Sequence, residues 1–294
     1  MPKTSVTPLT IIKVDKNSII NTEDFLAAEE PLEIRLGYGA SSNRTQKSIS
    51  VTMRTPGNDF ELAIGFLFTE GIIENAAQIS SIKHCNGLHE NVVKVELLDG
   101  LDLDMSKLER NFYTTSSCGV CGKSSIDAVK TVCRLPEFVS SEIQFSAEKI
   151  YQLPDLLRQN QTIFGKTGGL HGCALFDANG KLLIAREDVG RHNALDKLIG
   201  ATLQQGLFPL NQYLLLLSGR ASFELIQKAY MAGIKVVAAV GAPSGLAVQM
   251  AADAGITLIG FLRGEKFNIY CGAERINTNT QLIHRSEQLS TLLK

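Results

Sequence analysis

Two cysteines three residues apart, Cys118 and Cys121, lie in the run Tyr113-Thr-Thr-Ser-Ser-Cys-Gly-Val-Cys-Gly122. A buried structural pair of thiols would have apolar neighbours, whereas the residues beside this pair are serines and glycines. Small neighbours leave the sulfur atoms accessible. The sequence therefore predicts that the chemistry of this protein takes place in this segment.

A zinc site and a thioredoxin-like redox pair are the two common alternatives for such a motif. Structural zinc usually needs four ligands, often in two close pairs, and here the nearest third thiol is Cys133. Zinc nucleobase deaminases have His-x-Glu upstream of Pro-Cys-x-x-Cys, but Ser117 stands in the place of the proline and no His-x-Glu precedes it. A thioredoxin-like pair is expected in a βαβ unit near the chain start. The sequence thus favours no structural metal and a thiol that carries sulfur as a persulfide.

Composition restricts the class of protein. The chain has 294 residues, 44% hydrophobic and 20% charged, with a net charge of -1, which is ordinary for a globular protein. Such a charge gives no overall attraction to nucleic acid or to a membrane surface. Six scattered cysteines, no apolar run at the amino terminus and no long apolar window predict a cytoplasmic protein with reduced thiols.

The pattern of apolar residues predicts two parts, 1–146 and 147–294. The first part begins with a polar, turn-rich stretch to about residue 30 and is otherwise rich in strands, with one buried helix from Asp59 to Gly71. The second part alternates helices with short continuous apolar runs, which is typical of strands covered on both faces. The predicted strands are 32–38, 47–54, 92–97, 173–176, 182–185, 213–218, 235–240 and 256–261. The predicted helices of the second part are 153–158, 193–204, 222–231 and 244–254.

Three loops follow the last three apolar runs, and each contains glycine with a hydroxyl group or a cation. They are Ser218-Gly-Arg220, Gly241-Ala-Pro-Ser-Gly245 and Arg263-Gly-Glu-Lys266. Open α/β sheets bind small molecules beyond the carboxyl ends of their strands. Glycine lets backbone N–H groups approach a phosphate, and arginine pairs with its charge. The alternative is that these are ordinary turns, because strand-to-helix junctions favour glycine and serine in any case.

A second polar patch combines Lys166-Thr-Gly-Gly-Leu-His-Gly172 with Arg186-Glu-Asp-Val-Gly-Arg-His-Asn193. His171, His192, Glu187 and Asp188 are candidate acid or base groups, and Arg191 is a candidate anion contact. A purely structural role is the alternative, since lone histidines often serve as hydrogen-bonding groups and Asp188 is placed to cap the helix predicted near Asn193.

Several long motifs occur in an order that resembles the formate dehydrogenase accessory sulfurtransferase family (FdhD/NarQ), from about Leu32 to Arg275. The matching stretches are Arg54-Thr-Pro-Gly-Asn-Asp-Phe-Glu-Leu-Ala-Ile-Gly-Phe-Leu-Phe-Thr-Glu-Gly71, Ser117-Cys-Gly-Val-Cys-Gly122, Lys166-Thr-Gly-Gly-Leu-His-Gly172, Arg186-Glu-Asp-Val-Gly-Arg-His-Asn-Ala-Leu-Asp-Lys197, Leu217-Ser-Gly-Arg-Ala-Ser222 and Gly260-Phe-Leu-Arg-Gly264. Six ordered matches are far more specific than one Cys-x-x-Cys.

The resemblance implies a sulfur carrier. It would take sulfur from a cysteine desulfurase and transfer it to the molybdenum cofactor, as bis(molybdopterin guanine dinucleotide), before this cofactor enters the formate dehydrogenase catalytic subunit. GDP would be an analogue of this bound substrate. The implied fold is α/β, with a cytidine-deaminase-like three-layer sheet in the C-terminal part, no deaminase zinc, and a smaller strand-rich N-terminal subdomain.

The resemblance also assigns roles to residues. Cys118 would hold the persulfide and Cys121 would assist it. The family's cofactor contact corresponds to Phe261, Leu262, Arg263, Gly264, Glu265 and Lys266. With the loops chosen above, the predicted cofactor-binding set further contains Ser218, Gly219, Arg220 and His171. Cys173 is predicted to be a packing residue.

Other functions remain open at this point. One is a non-catalytic chaperone of apo formate dehydrogenase or its cofactor, with the cysteine pair as a redox sensor, and another is a zinc hydrolase. The sequence leaves the oligomeric state undecided, although apolar strands in an α/β protein would suit a homodimer.

Overall fold

A computed structural model describes residues 4–85, 91–101 and 143–278 of the chain. Its first elements are two strands that form a hairpin, followed by four strands and one helix. They are Val6–Val14 (β1), Ile19–Ala27 (β2), Glu30–Tyr38 (β3), Thr45–Arg54 (β4), Asp59–Thr69 (α1), Ile79–His84 (β5) and Val92–Leu97 (β6).

The elements after residue 143 include both helices and strands. They are Phe145–Ser146 (β7), Ala147–Asn160 (α2), Thr162–Thr167 (α3), His171–Phe176 (β8), Leu182–Asp188 (β9), Arg191–Gln204 (α4), Leu214–Leu217 (β10), Phe223–Met231 (α5), Val236–Ala239 (β11), Gly245–Asp253 (α6), Thr257–Arg263 (β12), Lys266–Cys271 (β13) and Ile276–Asn277 (β14). In the described ranges, no helix has both the length and the apolar character needed to cross a bilayer.

The larger sheet has six strands in the order β13-β12-β11-β10-β8-β9. The strands β10, β11 and β12 run parallel, and the strands β8 and β13 on either side of them run antiparallel to their neighbours. Alternate residues of β10 and β11 belong to different hydrophobic clusters: Leu215 and Val237 pack on the side of α4 and α5, and Leu216 and Ala238 pack on the side of α2. The prediction of a partly parallel sheet covered on both faces is therefore confirmed.

A four-stranded sheet, in the order β4-β3-β6-β5, lies in the N-terminal part. Its alternating apolar residues Leu32, Ile34 and Leu36 are fully buried and belong to the same hydrophobic cluster as α1 and α4. One core therefore contains residues from both sides of the predicted boundary at 146. At that boundary the Ser146 hydroxyl accepts a hydrogen bond from the Lys149 N–H and begins α2.

The first thirty residues differ from the prediction. Instead of a turn-rich stretch, they form the antiparallel hairpin β1-β2, with Val6 opposite Ala27 and Val14 opposite Ile19. The pattern was missed because threonine, lysine and acidic residues interrupt its apolar positions, so that the apolar and polar residues do not sort onto opposite faces. Seven large apolar side chains of the hairpin are exposed: Leu9, Ile12, Val14, Ile19, Ile20, Phe25 and Leu26.

Candidate functional site

Three loops meet at one edge of the six-stranded sheet. The parallel strands β10, β11 and β12 all end there, and the helices α5 and α6 begin there after short turns. The strand β8 runs in the opposite direction and therefore begins at this edge, with His171 as its first residue. The topology thus brings the three predicted loops and His171 to the same edge.

Backbone hydrogen bonds join the three loops in series. The Gly241 N–H donates to the Gly219 carbonyl oxygen at 2.9 Å, and the Phe261 N–H donates to the Gly241 carbonyl oxygen at 3.0 Å. A second connection runs from the Ser244 N–H to the Ala221 carbonyl oxygen, also at 3.0 Å. These bonds extend the parallel pairing beyond the strands, so the loops form one continuous surface.

Close packing between the loops requires glycine at two positions. A Cβ atom on Gly241 would lie 3.0 Å from the Gly219 carbonyl oxygen and 3.1 Å from Arg220 Cγ. On Gly260 it would lie 2.8 Å from Pro243 Cδ and 2.9 Å from Tyr270 Cε2. All four distances are shorter than ordinary van der Waals contacts. A larger residue at either position would therefore push the loops apart.

His171 lies beside the first of these loops. A Cβ atom on Gly219 would be 3.5 Å from His171 Nδ1, and the adjacent Gly172 N–H donates to Ser218 Oγ at 2.8 Å. Burial lowers the pKa of His171, the positive charge of Arg191 lowers it further, and Asp188 opposes the shift. The pKa of His171 is therefore below its usual 6.5 although the residue is exposed, and a negatively charged ligand at this edge would oppose that shift.

Phe261 has an unusual backbone conformation at the end of β12. Its φ angle is +54°, in the left-handed region that non-glycine residues rarely adopt, and its side chain is 43% exposed. Such strain costs on the order of 1–2 kcal/mol and is concentrated at functional sites in proteins. An exposed aromatic ring held in this way provides a stacking surface for a planar group.

The other predicted residues of this loop differ in their exposure. Arg263, Gly264, Glu265 and Lys266 are exposed, as is Arg220 in the neighbouring loop. Leu262 is fully buried in the hydrophobic cluster on the α2 side. Its side chain is therefore part of the core, and only its backbone could touch a ligand.

The charged patch before α4 is mainly structural. The Glu187 carboxylate accepts hydrogen bonds from the Ile163 and Phe164 N–H groups at the start of α3. Asp188 is fully buried and accepts a hydrogen bond from the Gly190 N–H at 2.8 Å, one residue before α4. Both carboxylates therefore make the structural hydrogen bonds that the alternative expected, and their acid or base roles stay predictions.

His192 and Arg191 lie in the first turn of α4. The His192 Nε2 atom is 3.9 Å from the Glu224 carboxylate on α5, which brings the first turns of these two helices together. Arg191 is the first residue of α4 and acts electrostatically on His171. The sequence flagged both residues as members of a polar patch, but it could not show that this patch faces the loop after β10.

Two residues of the edge were not selected from the sequence. Tyr270 on β13 and Pro243 in the loop after β11 both pack against Gly260. Pro243 lies in a loop that was flagged for its glycines. No sequence pattern indicated Tyr270, because its contact with Gly260 depends on an irregular register between β12 and β13.

Cys118, Cys121 and Cys133 lie outside the described residues. Within the described ranges, no group of three or more His, Cys, Asp or Glu side chains is arranged to hold a metal ion. Cys173 is almost fully buried, and its thiol donates a hydrogen bond to the Ala194 carbonyl oxygen at 3.1 Å. Burial raises the pKa of this thiol, so Cys173 is an unreactive packing residue, as predicted.

The fold and this edge define an α/β protein whose parallel strands end in a shared, glycine-dependent loop surface. A family model described as the FdhD/NarQ family matches residues 27–277. The chain belongs to the FdhD/NarQ family.

Similar proteins cover most of the chain. It is 49% identical over 272 residues to the sulfur carrier protein FdhD of Streptomyces coelicolor, covering 90% of this chain and 94% of that one. It is 52% identical over 257 residues to the sulfur carrier protein FdhD of Mycolicibacterium paratuberculosis, covering 85% and 91%. A crystal structure of a putative formate dehydrogenase accessory protein from Desulfotalea psychrophila aligns with a TM-score of 0.68 and 22% identity, over 93% of this chain and all of that one. This last similarity shows a shared fold.

Proposed function

We propose that this protein is a sulfur carrier that serves formate dehydrogenase. In this proposal Cys118 takes sulfur from a cysteine desulfurase as a persulfide, with Cys121 assisting. The protein then transfers that sulfur to the molybdenum cofactor in its bis(molybdopterin guanine dinucleotide) form, before the cofactor enters the formate dehydrogenase catalytic subunit. Membership of the FdhD/NarQ family and the relatives named sulfur carrier protein support the carrier role.

The single structural observation that carries the proposal is the continuous loop surface beyond β10, β11 and β12. A guanine dinucleotide has a planar base and a diphosphate. Phe261 offers an exposed ring for the base, and Arg220, Arg263 and Lys266 offer cations on the exposed part of the loops. Arginine and lysine together with free backbone N–H groups are the usual partners of phosphate.

The sulfur steps balance without an added oxidant. The Cys118 thiolate attacks the outer sulfur of the desulfurase persulfide, a new S–S bond forms on Cys118, and the desulfurase cysteine leaves as a thiolate. Transfer of the outer sulfur as sulfide takes two electrons, which Cys121 would supply. Its thiolate attacks the inner sulfur of the Cys118 persulfide, the bond to the outer sulfur breaks, and sulfide leaves to the cofactor as a Cys118–Cys121 disulfide forms. The chain's described residues contribute the nucleotide-binding edge, which would hold the cofactor for this second step.

The fold is part of the same proposal. The antiparallel pair β8-β9, followed by parallel strands β10, β11 and β12 with helices between them, supports a cytidine-deaminase-like arrangement of the second part. The loops at the carboxyl ends of the strands are the expected ligand position in such a sheet.

The test is intact-mass analysis after incubation with a cysteine desulfurase and cysteine. A gain of one sulfur atom, reversed by a reducing agent, supports the carrier function. A loss of two hydrogen atoms alone would indicate a disulfide switch and a chaperone instead. Stoichiometric zinc in the purified protein would contradict the proposal and favour a hydrolase.

A further inference from the structure

Two aspartate–lysine pairs are buried in the protein, and each has one member on α4. These two members, Asp196 and Lys197, are consecutive in the sequence. Lys197 Nζ lies 2.7 Å from Asp188 Oδ2, and Lys228 Nζ lies 3.0 Å from Asp196 Oδ2. All four residues are more than nine-tenths buried. Burying a charge pair costs several kcal/mol in lost hydration, which the attraction repays only with good geometry and further hydrogen bonds. The hydrogen bonds around each pair therefore decide whether it stabilises the fold.

The first pair binds the loop after β4 to the loop before α4. Asp188 Oδ2 accepts a hydrogen bond from the Thr55 N–H at 3.2 Å, and Lys197 Nζ donates to the Thr55 carbonyl oxygen at 2.8 Å. Thr55 Oγ1 in turn accepts from the Val189 N–H at 3.2 Å. Thr55 is thus bound to both members of the pair and to the residue that follows Asp188.

Asn193 completes this network from the first turn of α4. Its side-chain amide donates to Asp188 Oδ1 at 3.1 Å and to the Met53 carbonyl oxygen at 2.8 Å. The network joins residues that are more than 130 positions apart in the sequence. It connects two of the motifs that carry the family resemblance, one on each side of residue 146.

The same pair lies directly behind the candidate site. Asp188 is the register partner of His171 across β8 and β9, and His171 contacts the loop that contains Gly219. Arg191 follows Asp188 by three residues, at the start of α4. The position of both His171 and Arg191 therefore depends on where Asp188 is held.

The second pair connects three helices. Lys228 on α5 donates to Asp196 and to Thr69 Oγ1 of α1, at 3.0 and 2.8 Å, and lies 3.5 Å from the Glu70 carboxylate. Thr69 Oγ1 also donates to Asp196 Oδ1 at 2.8 Å. This network joins α1, α4 and α5 in the core through hydrogen bonds and ion pairs among Thr69, Glu70, Asp196 and Lys228, none of which belongs to the three loops.

We infer that Asp188, Lys197 and Thr55 are positioning residues of the nucleotide-binding edge. They hold the turn between β9 and α4 so that His171 and Arg191 face the loop after β10, where the ligand's phosphates would bind. The inference rests on the proposed nucleotide site. It gives a role to Thr55, which lies in the loop between β4 and α1 of the N-terminal part and is not itself a predicted ligand contact.

The second network provides matched controls for the experiment. Thr55→Val is compared with Thr69→Val, and the double variant Asp188→Asn/Lys197→Met is compared with Asp196→Asn/Lys228→Met. The double variants remove both charges of a pair, which avoids leaving one charge buried and unpaired. For each full-length protein, GDP affinity is measured by calorimetry, the free energy of unfolding by urea denaturation, and the His171 ring signals by NMR.

We expect Thr69→Val to lose at least as much stability as Thr55→Val, because Thr69 Oγ1 bonds to both Asp196 and Lys228, whereas Thr55 Oγ1 accepts one bond, from the Val189 N–H. The 188/197 double variant should weaken GDP binding by roughly tenfold, since one misplaced charged contact is worth about that much. Thr55→Val keeps the backbone bonds to Asp188 and Lys197 and loses the bond from the Val189 N–H, so it should weaken binding in the same direction but by less. They should also shift the His171 signals. The variants at 69, 196 and 228 should bind GDP as the wild type does and leave the His171 signals in place.

The possible failures are distinguishable. If the wild-type protein does not bind GDP, the proposed nucleotide site is wrong. If the wild type binds GDP and the 188/197 double variant binds equally well with unchanged His171 signals, the positioning role is wrong. Equal losses of affinity in both sets of variants would mean that GDP binding follows general stability, which also contradicts the inference.

Discussion

Gly65 of α1 and Gly200 of α4 lie where each helix meets the backbone of the other. A Cβ atom on Gly65 would overlap the Asp196 carbonyl oxygen, and one on Gly200 would overlap the Glu61 carbonyl oxygen. The two helices therefore pack with their backbones in contact. The Arg186 guanidinium reinforces the contact by a bidentate pair with the Glu61 carboxylate, at 2.5 and 2.6 Å. This is the main helix contact between the N-terminal part and the α/β part.

The first prediction concerns stability at this contact. Gly65→Ala should lower the free energy of unfolding by about 1–3 kcal/mol, because the added methyl group must push α1 away from α4. Gly165→Ala in α3 is the matched control, since nothing lies within 4 Å of a Cβ atom there. It should be neutral or stabilising by about 0.5–1 kcal/mol, as alanine is the better helix former. Urea denaturation of the two variants would contradict the packing if Gly65→Ala were equally well tolerated.

The second prediction concerns the sulfur-bearing thiol. Cys118→Ala should remain folded and should retain no labelled sulfur after incubation with a cysteine desulfurase and labelled cysteine. Cys85→Ser, at a partly exposed free cysteine, should be labelled as the wild type is. Cys121→Ala should still be labelled, although more slowly if Cys121 assists. Stoichiometric labelling of Cys118→Ala would show that the persulfide forms elsewhere.

The third prediction concerns the cations of the edge. Arg263→Ala should weaken GDP binding by about 1–3 kcal/mol, the value of a hydrogen bond to a charged group. Lys235→Ala is the control, because Lys235 immediately precedes β11 and therefore lies at the opposite edge of the sheet. Calorimetry should show no change for this control. Equal affinities for the wild type and Arg263→Ala would place the phosphates away from this loop.

The fourth prediction separates strain from function at Phe261. Phe261→Gly relieves the left-handed backbone conformation, so the free energy of unfolding should stay the same or rise by up to about 1 kcal/mol. GDP affinity should nevertheless fall, because the exposed ring is lost. Thermal melts and calorimetry on the same samples test both effects. A clear loss of stability with unchanged affinity would mean that the ring is a packing residue.

The fifth prediction concerns the protonation of His171. Burial and Arg191 lower its pKa from the usual 6.5 in the ligand-free protein. A bound diphosphate would favour the imidazolium form, so the pKa should rise when GDP is added. By linkage, GDP binding should take up a proton in the pH range between the lower ligand-free pKa and the higher bound pKa, and affinity should increase as pH falls through that range.

NMR titration of His171 with and without GDP measures this shift directly. His171→Gln should remove the corresponding part of the pH dependence of affinity. It should leave the part that comes from the ionisation of the nucleotide itself. An unchanged His171 pKa in the presence of saturating GDP would mean that the phosphates do not bind near this ring.

The same lowered pKa affects folding stability. Because the unfolded chain binds a proton at His171 more readily than the folded chain does, this group lowers the stability of the fold as pH falls below about 6.5. Above that value both states are neutral at this position, and the group makes no difference. His171→Gln should therefore be relatively more stable than the wild type in mild acid.

Local patterns predicted the three parallel strands and the helices between them well, whereas α3 and β13 were not predicted and the predicted helix 153–158 covers only part of α2. The continuous apolar runs became β10, β11 and β12, and the predicted helices 222–231 and 244–254 differ by one residue at most from α5 and α6 at each end. Such runs are informative because a strand covered on both faces needs apolar residues on both sides. The hairpin β1-β2 was missed for the opposite reason, since it is exposed on both faces and has no apolar side to reveal it.

The sequence alone determined the class of fold, the family resemblance and the set of loops that carry glycine and cations. It could do so because these features depend on residues that are neighbours along the chain. Only the tertiary structure decided that His171, Gly219, Gly241 and Phe261 form one edge, and that Asp188 and Lys197 are bound to Thr55 behind it. Those contacts join strands and loops that are far apart in the sequence, and no local pattern encodes which distant residue will neutralise a buried charge.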